Sequence, residues 1–156
     1  MIHIETWTDN SILRQKSEII HQNELQKYIN IWKDMVKYIK NPKNGWVWLA
    51  APQTWINKRM FVMCFLKDRD DENFKTWIVI NPEIISHWEA FEIEEEWCLS
   101  LPWDTWDVKR YKNIKVSFIW EDKKQKTIAL SWVPARIFQH ELDHLDWVLF
   151  CDRVWK

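Results

Sequence analysis

Glycine is almost missing. The 156-residue chain holds 1, where ordinary usage is about 7% of residues. Glycine takes left-handed backbone without steric cost, and a residue with a Cβ placed there costs roughly 1–2 kcal/mol. Cysteine is scarce as well: Cys64, Cys98 and Cys151 are the three present. The N-terminus, MIHIETWTDNS, has no basic segment leading into an apolar one. An odd, low cysteine count without a secretory signal excludes a disulfide framework, and a reducing, cytoplasmic setting is expected. No apolar run is long enough to span a bilayer. Neither sign of charge dominates. The formal net charge of −1 argues against nucleic acid or an anionic membrane held by bulk electrostatics.

What is present describes a soluble globular chain, 47% hydrophobic and 29% charged. Its length suits one domain, residues 1–156, with one core of ordinary size. Residues 22–40 place Leu25, Ile29, Trp32, Met35, Val36 and Ile39 at helical spacing with charges opposite, which predicts an amphipathic helix. MFVMCFL (60–66), WIVINPEI (77–84) and IKVSFIW (114–120) read as strands. KDRDDEN (67–73) reads as a charged turn, and EDKKQK (121–126) closes a hairpin. Pro134 suits the first turn of a second helix over 134–146, carrying Ile137, Phe138, Leu142 and Leu145. The expected class is α+β, with mostly antiparallel sheet around that second helix.

His140, Glu141 and His144 spell H-E-x-x-H on the second helix. Residues four apart share a helix face, so both imidazoles can converge on one metal ion, and Glu141 can exchange a proton with water there. A catalytic site of this kind needs a third protein ligand and an open position. His3, His21 and His87 lie in uninformative polar surroundings, and Cys64 sits inside an apolar strand as a small core residue. Cys98, in EEEWCLSLP, is preferred on the residues alone, with Cys151 left open.

At this point the chain resembles the peptide deformylase family. That family is marked by G-x-G-L-A-A-x-Q, then E-G-C-L-S, then Q-H-E-x-D-H-L-x-G. Here the corresponding stretches are WVWLAAPQ (46–53), EWCLS (96–100) and QHELDHLDW (139–147), in the same order. TDNSILRQKS (8–17), NPEI (81–84) and PARIFQHE (134–141) are similar too, so the resemblance covers nearly the whole chain. It implies that Cys98, His140 and His144 bind one divalent ion, ferrous iron by preference, with zinc or nickel able to substitute. It implies Glu141 as general acid and base, and Gln53 and the Leu99 N–H as donors to the oxygen that gains charge. Val47, Trp48, Glu96, Trp97 and Ile137 are expected around the methionine side chain. The implied activity is removal of the formyl group from the formyl-methionine of nascent chains by a monomeric bacterial-type enzyme, with the ribosome as a further expected partner.

The departures from the family are all of one kind. Among the 14 tryptophans, Trp46, Trp48, Trp97 and Trp147 stand where the motifs have glycine, and Trp55, Trp103, Trp106 and Trp132 fall where relatives commonly carry it. Random divergence would scatter. A gene that uses UGA for glycine, read with a table that makes UGA tryptophan, gives this pattern of empty glycine and inflated tryptophan. Literal tryptophans would instead push indoles into the substrate cleft and yield an inert binding protein on the same fold. Another H-E-x-x-H zinc peptidase is the third reading, but it leaves EWCLS without a role.

Overall fold

The computed structural model describes residues 2–41, 43–44, 48–65 and 75–155. The charged turn expected at 67–73, and Trp46 and Val47, lie outside them.

The N-terminal helix α1 (Leu25–Ile39) follows a 3₁₀ turn, Gln22–Glu24, in which the Glu24 carboxylate accepts the His21 backbone N–H at 3.1 Å. The α-helix therefore begins three residues after the expected start at 22, at the first residue of its apolar stripe. Leu25, Tyr28, Ile29, Trp32, Met35 and Ile39 form its buried face. Val36 is only partly buried.

Five antiparallel strands form the main sheet: β1 (Trp48–Ala50), β2 (Met60–Phe65), β3 (Lys75–His87), β6 (Asn113–Ile119) and β7 (Gln125–Ser131), in the order β1-β2-β3-β6-β7. β4 (Phe91–Cys98) and β5 (Leu101–Tyr111) form a separate two-stranded sheet. Alternation along the strands separates two cores, because successive side chains point to opposite faces. Met60, Val62, Cys64, Ile78 and Ile80 pack with α1, whereas Phe61, Met63 and Val79 pack with the second helix, α2 (Val133–Leu145). Phe61 and Phe138 meet edge to face at 5.2 Å, anchoring α2 to the sheet. A third cluster, containing Leu13, Cys98, Leu101, Val108, Leu149 and Phe150, ties the β4–β5 hairpin to both chain termini. The fold is α+β with α2 at its centre, as the sequence suggested.

β3 bulges between Ile80 and Glu83. Asn81 there has φ 49°, and its side-chain amide exchanges hydrogen bonds with both backbone groups of Ile20, at 2.9 and 2.8 Å. Asparagine tolerates left-handed backbone, and here it also pins the N-terminal segment to the sheet.

The remaining positive-φ residues among those described are Trp7 (82°), Trp55 (68°), Lys123 (62°), Trp132 (60°) and Trp147 (55°). Four are tryptophans, a side chain that gains nothing from such backbone. All four are exposed, so burial of the indole does not offset the strain. Trp147 follows the C-cap of α2, where the Val148 N–H reaches back to the Asp143 carbonyl at 2.9 Å. This is the reverse turn that favours glycine at its left-handed position. Trp103 and Trp106 lie in extended β5, and the backbone gives no reason for glycine there.

Candidate metal centre

α2 runs between the two sheets and brings both histidines of its motif to one buried face, 5.1 Å apart between ring centroids. Cys98 arrives from the end of β4, just before the two-residue turn Leu99–Ser100 that pairs Cys98 with Leu101. Its Sγ lies 3.2 Å from His144 Nε2. One ligand atom each from Cys98, His140 and His144 fall within 4.8 Å of one another, and all three residues are buried. Cys151 is half-buried on the turn Phe150–Arg153 and stands outside this group.

The polar atoms of the centre are tuned by burial. Desolvation pushes the Cys98 thiol up to about 12, with the Ser100 N–H pulling against it. A neighbouring cation is what would let such a thiol ionise in place. Burial, and then the charge of His140, holds His144 well below the usual histidine range, in the neutral form that ligates. Burial also raises Glu141 well above the usual carboxylate range, with the Glu96 charge adding to the shift. His140 Nε2, His144 Nδ1 and both carboxylate oxygens of Glu141 are buried without a hydrogen-bond partner. Buried polar atoms are rarely left unpaired. A thiol, two imidazoles and an unpaired carboxyl around one point fit a divalent cation and its water.

Gln53 sits on the 3₁₀ turn Ala51–Thr54 that follows β1. Its Oε1 accepts the Ala50 N–H at 2.9 Å, which fixes the amide. Its Nε2 then faces the centre, donating to Ser100 Oγ at 3.1 Å and lying 3.4 Å from Cys98 Sγ.

Glu96 is placed differently from the pocket-lining position expected of it. It is buried, and its carboxylate is consumed within the protein. Arg110 donates to both oxygens at 2.9 Å, Arg136 Nη1 to Oε1 at 2.7 Å, and His140 Nδ1 to Oε2 at 2.9 Å. Burial alone would raise its pKa, but these donors hold it below the usual carboxylate range. An ionised Glu96 makes Nδ1 the protonated nitrogen of His140 and leaves Nε2 as the ligating one. Ile137 is buried in the core cluster beneath α2. Trp48 on β1 and Trp97 on β4 bring the two sheets into contact, with ring centroids 6.1 Å apart.

Arg110, Arg136, Ser100 and Asp143 escape sequence reasoning. Arg136 lies one helical turn before His140, a spacing that could have suggested a shared face. Nothing local marks Arg110, a single basic residue on a strand.

The sequence matches the polypeptide deformylase family over residues 1–156. It is 37% identical over 147 residues to a peptide deformylase of Picosynechococcus, covering 93% of this chain and 75% of that one. The peptide deformylase of Thermotoga maritima superposes with a TM-score of 0.84 at 33% identity, over 100% of this chain and 99% of its own. A class I type b peptide deformylase of Acinetobacter baumannii with Met-Ala-Ser bound gives a TM-score of 0.85 at 27% identity, over 98% of both chains. With whole-length agreement in sequence and backbone, the chain belongs to the polypeptide deformylase family.

Proposed function

We propose that the chain is a metal-dependent peptide deformylase that removes the formyl group from the N-terminal formyl-methionine of nascent polypeptides. The observation that carries the reading is the convergence of Cys98, His140 and His144 beside the unpaired carboxyl of Glu141. Cys98, His140 and His144 would hold the ion. Ferrous iron is expected, and zinc or nickel would fit the same thiolate–imidazole set. A divalent ion held there supplies Lewis acidity to the formyl carbonyl and to water. With the charge of a bound ion beside it, Glu141 would be ionised, take the proton of the attacking water and pass it to the departing amine nitrogen. Gln53 Nε2 and the Leu99 N–H donate to the carbonyl oxygen as charge develops on it. Glu96 holds His140 in register from behind.

Among the described strands, β1 and β4 are each paired along one edge only. An extended peptide can add to the other edge, as strand-adding ligands do. The Met-Ala-Ser bound to the Acinetobacter relative supports a peptide ligand that begins with methionine. Among the described residues, Ile137, Trp48 and Trp97 are then proposed to line the pocket for the methionine side chain, and the family resemblance adds Val47. The single domain would act in the cytoplasm as a monomer, on chains leaving the ribosome.

The tryptophans at 46, 48, 55, 97, 132 and 147 belong to the same proposal: in the cell these positions are glycine, encoded by UGA. Left-handed backbone at Trp55, Trp132 and Trp147 supports it, and Trp7 joins them on the same ground. Four such positions cost on the order of 4–8 kcal/mol, comparable with a domain's whole stability of about 5–15 kcal/mol. UGG codons at 46, 48, 97 and 147 would sink it.

Formate release from formyl-Met-Ala-Ser, by protein carrying one equivalent of ferrous or nickel ion, tests the activity. No release from the fully metallated, glycine-bearing chain would refute it.

A further inference from the structure

Arg153 lies on the C-terminal turn Phe150–Arg153, away from the metal ligands, yet a continuous run of hydrogen bonds links it to one of them. Its Nε and Nη2 donate to the two oxygens of Asp143. Asp143 Oδ2 also accepts from Arg110 Nη1. Arg110 uses its two other donor nitrogens on Glu96, and Glu96 accepts from His140 Nδ1. Cation and carboxylate alternate from Arg153 to Glu96, and Glu96 then accepts the imidazole N–H, so each group is oriented by the one before it.

We infer that Arg153 is a positioning residue for the metal centre, acting through Asp143, Arg110 and Glu96 on His140. Arg110 is shared between two carboxylates, and its grip on Glu96 depends on how Asp143 is held. With Arg153 in place, Asp143 receives donors from two sides and leaves the Arg110 fork aligned on Glu96. Without it, Asp143 has one cation left and draws Arg110 towards itself. A cavity of about 400 Å³ adjoins this run of hydrogen bonds, lined by Arg110, Tyr111, Leu142, Asp143, Asp146 and Arg153. Arg110 is 2% exposed and Arg153 47%. Arg153 can therefore be replaced without burying an unpaired cation or opening a hole in the core.

Removing a partner behind a ligating histidine typically lowers metal affinity about 10–100-fold, and Arg153 stands further back, so about tenfold faster ion release is expected. The inference rests on the metal-centre reading above. The test is release of Ni²⁺ or Co²⁺ from the loaded protein into excess chelator, for the parent, Arg153→Ala, Arg153→Lys and Arg14→Ala. Arg14 ties the same C-terminal turn through Asp152 and does not touch Asp143. Arg153→Ala should release the ion faster and alter the Co²⁺ absorption bands, Arg153→Lys should recover part of the loss, and Arg14→Ala should lower Tm without changing release. Parent-like release from Arg153→Ala would overturn the inference, and so would equal release from Arg14→Ala, which would mean that C-terminal docking alone matters. If Arg153→Ala does not fold, Arg153→Lys against Arg14→Ala makes the same comparison. A parent protein that takes up no ion would fail the metal-centre reading itself, a result distinct from either.

Discussion

Nδ1 of His140 lies 2.9 Å from Oε2 of Glu96. This contact reaches back from the β4 strand to the central helix and turns the other ring nitrogen towards Cys98 and His144. Glu96→Gln should keep the fold and weaken the hold on the ion, since an amide oxygen accepts the Nδ1–H less strongly than a carboxylate. A loss of about 10–100-fold in metal affinity is expected, read by competition with a chelator. Unchanged affinity would leave Glu96 with a packing role only.

Cys98→Ser removes the thiolate but little volume. Loaded under excess ion and desalted, it should retain well under one equivalent by elemental analysis, whereas Cys151→Ser should retain the full amount. Full retention by Cys98→Ser would exclude Cys98 as a ligand.

Glu141→Ala should bind one equivalent of metal and lose most turnover, by about 10²–10⁴-fold from the missing proton transfer alone. The loss should fall on kcat and kcat/KM alike. Retained turnover would remove Glu141 from the chemistry.

The pH dependence of the chelated protein follows from the same residue. Burial raises Glu141 in the fold above its unfolded value, so between the two values the folded state binds more protons than the unfolded one. Stability from this group is complete below the unfolded value and is lost as pH rises through the folded one. Metal-free parent protein should therefore lose stability towards alkaline pH relative to metal-free Glu141→Gln, by urea unfolding at several pH values. Parallel profiles would contradict the buried, protonated carboxyl.

Restoring glycine separates two effects of the indoles. Trp55→Gly, Trp132→Gly and Trp147→Gly should each raise stability by roughly 1–2 kcal/mol, the cost of left-handed backbone for a residue with a Cβ. Trp48→Gly with Trp97→Gly should act on kcat/KM for formyl-Met-Ala-Ser, because those rings join β1 to β4 at the proposed peptide site. Equal activity with and without the pair would show that the indoles leave the groove open.

The sequence alone determined the parts that rest on local periodicity. The stripe on α1 and the pairing of His140 with His144 follow from 3.6 residues per turn, and strands such as β2 declare themselves by apolar runs between charges. The β4–β5 hairpin escaped because its carboxylates and exposed indoles lack the expected alternation: Glu96 points inward among arginines while Trp103 faces solvent. Only the tertiary structure decided that Cys98 meets His144 across 46 residues, and that Glu96 serves His140 and two arginines. Such contacts depend on how a hairpin docks on a helix, which no local pattern of charge or hydrophobicity encodes. The scarcity of glycine was legible from composition, but which positions need it on backbone grounds was settled by φ at Trp7, Trp55, Trp132 and Trp147, because left-handed backbone is a property of the turn and not of the residue written there.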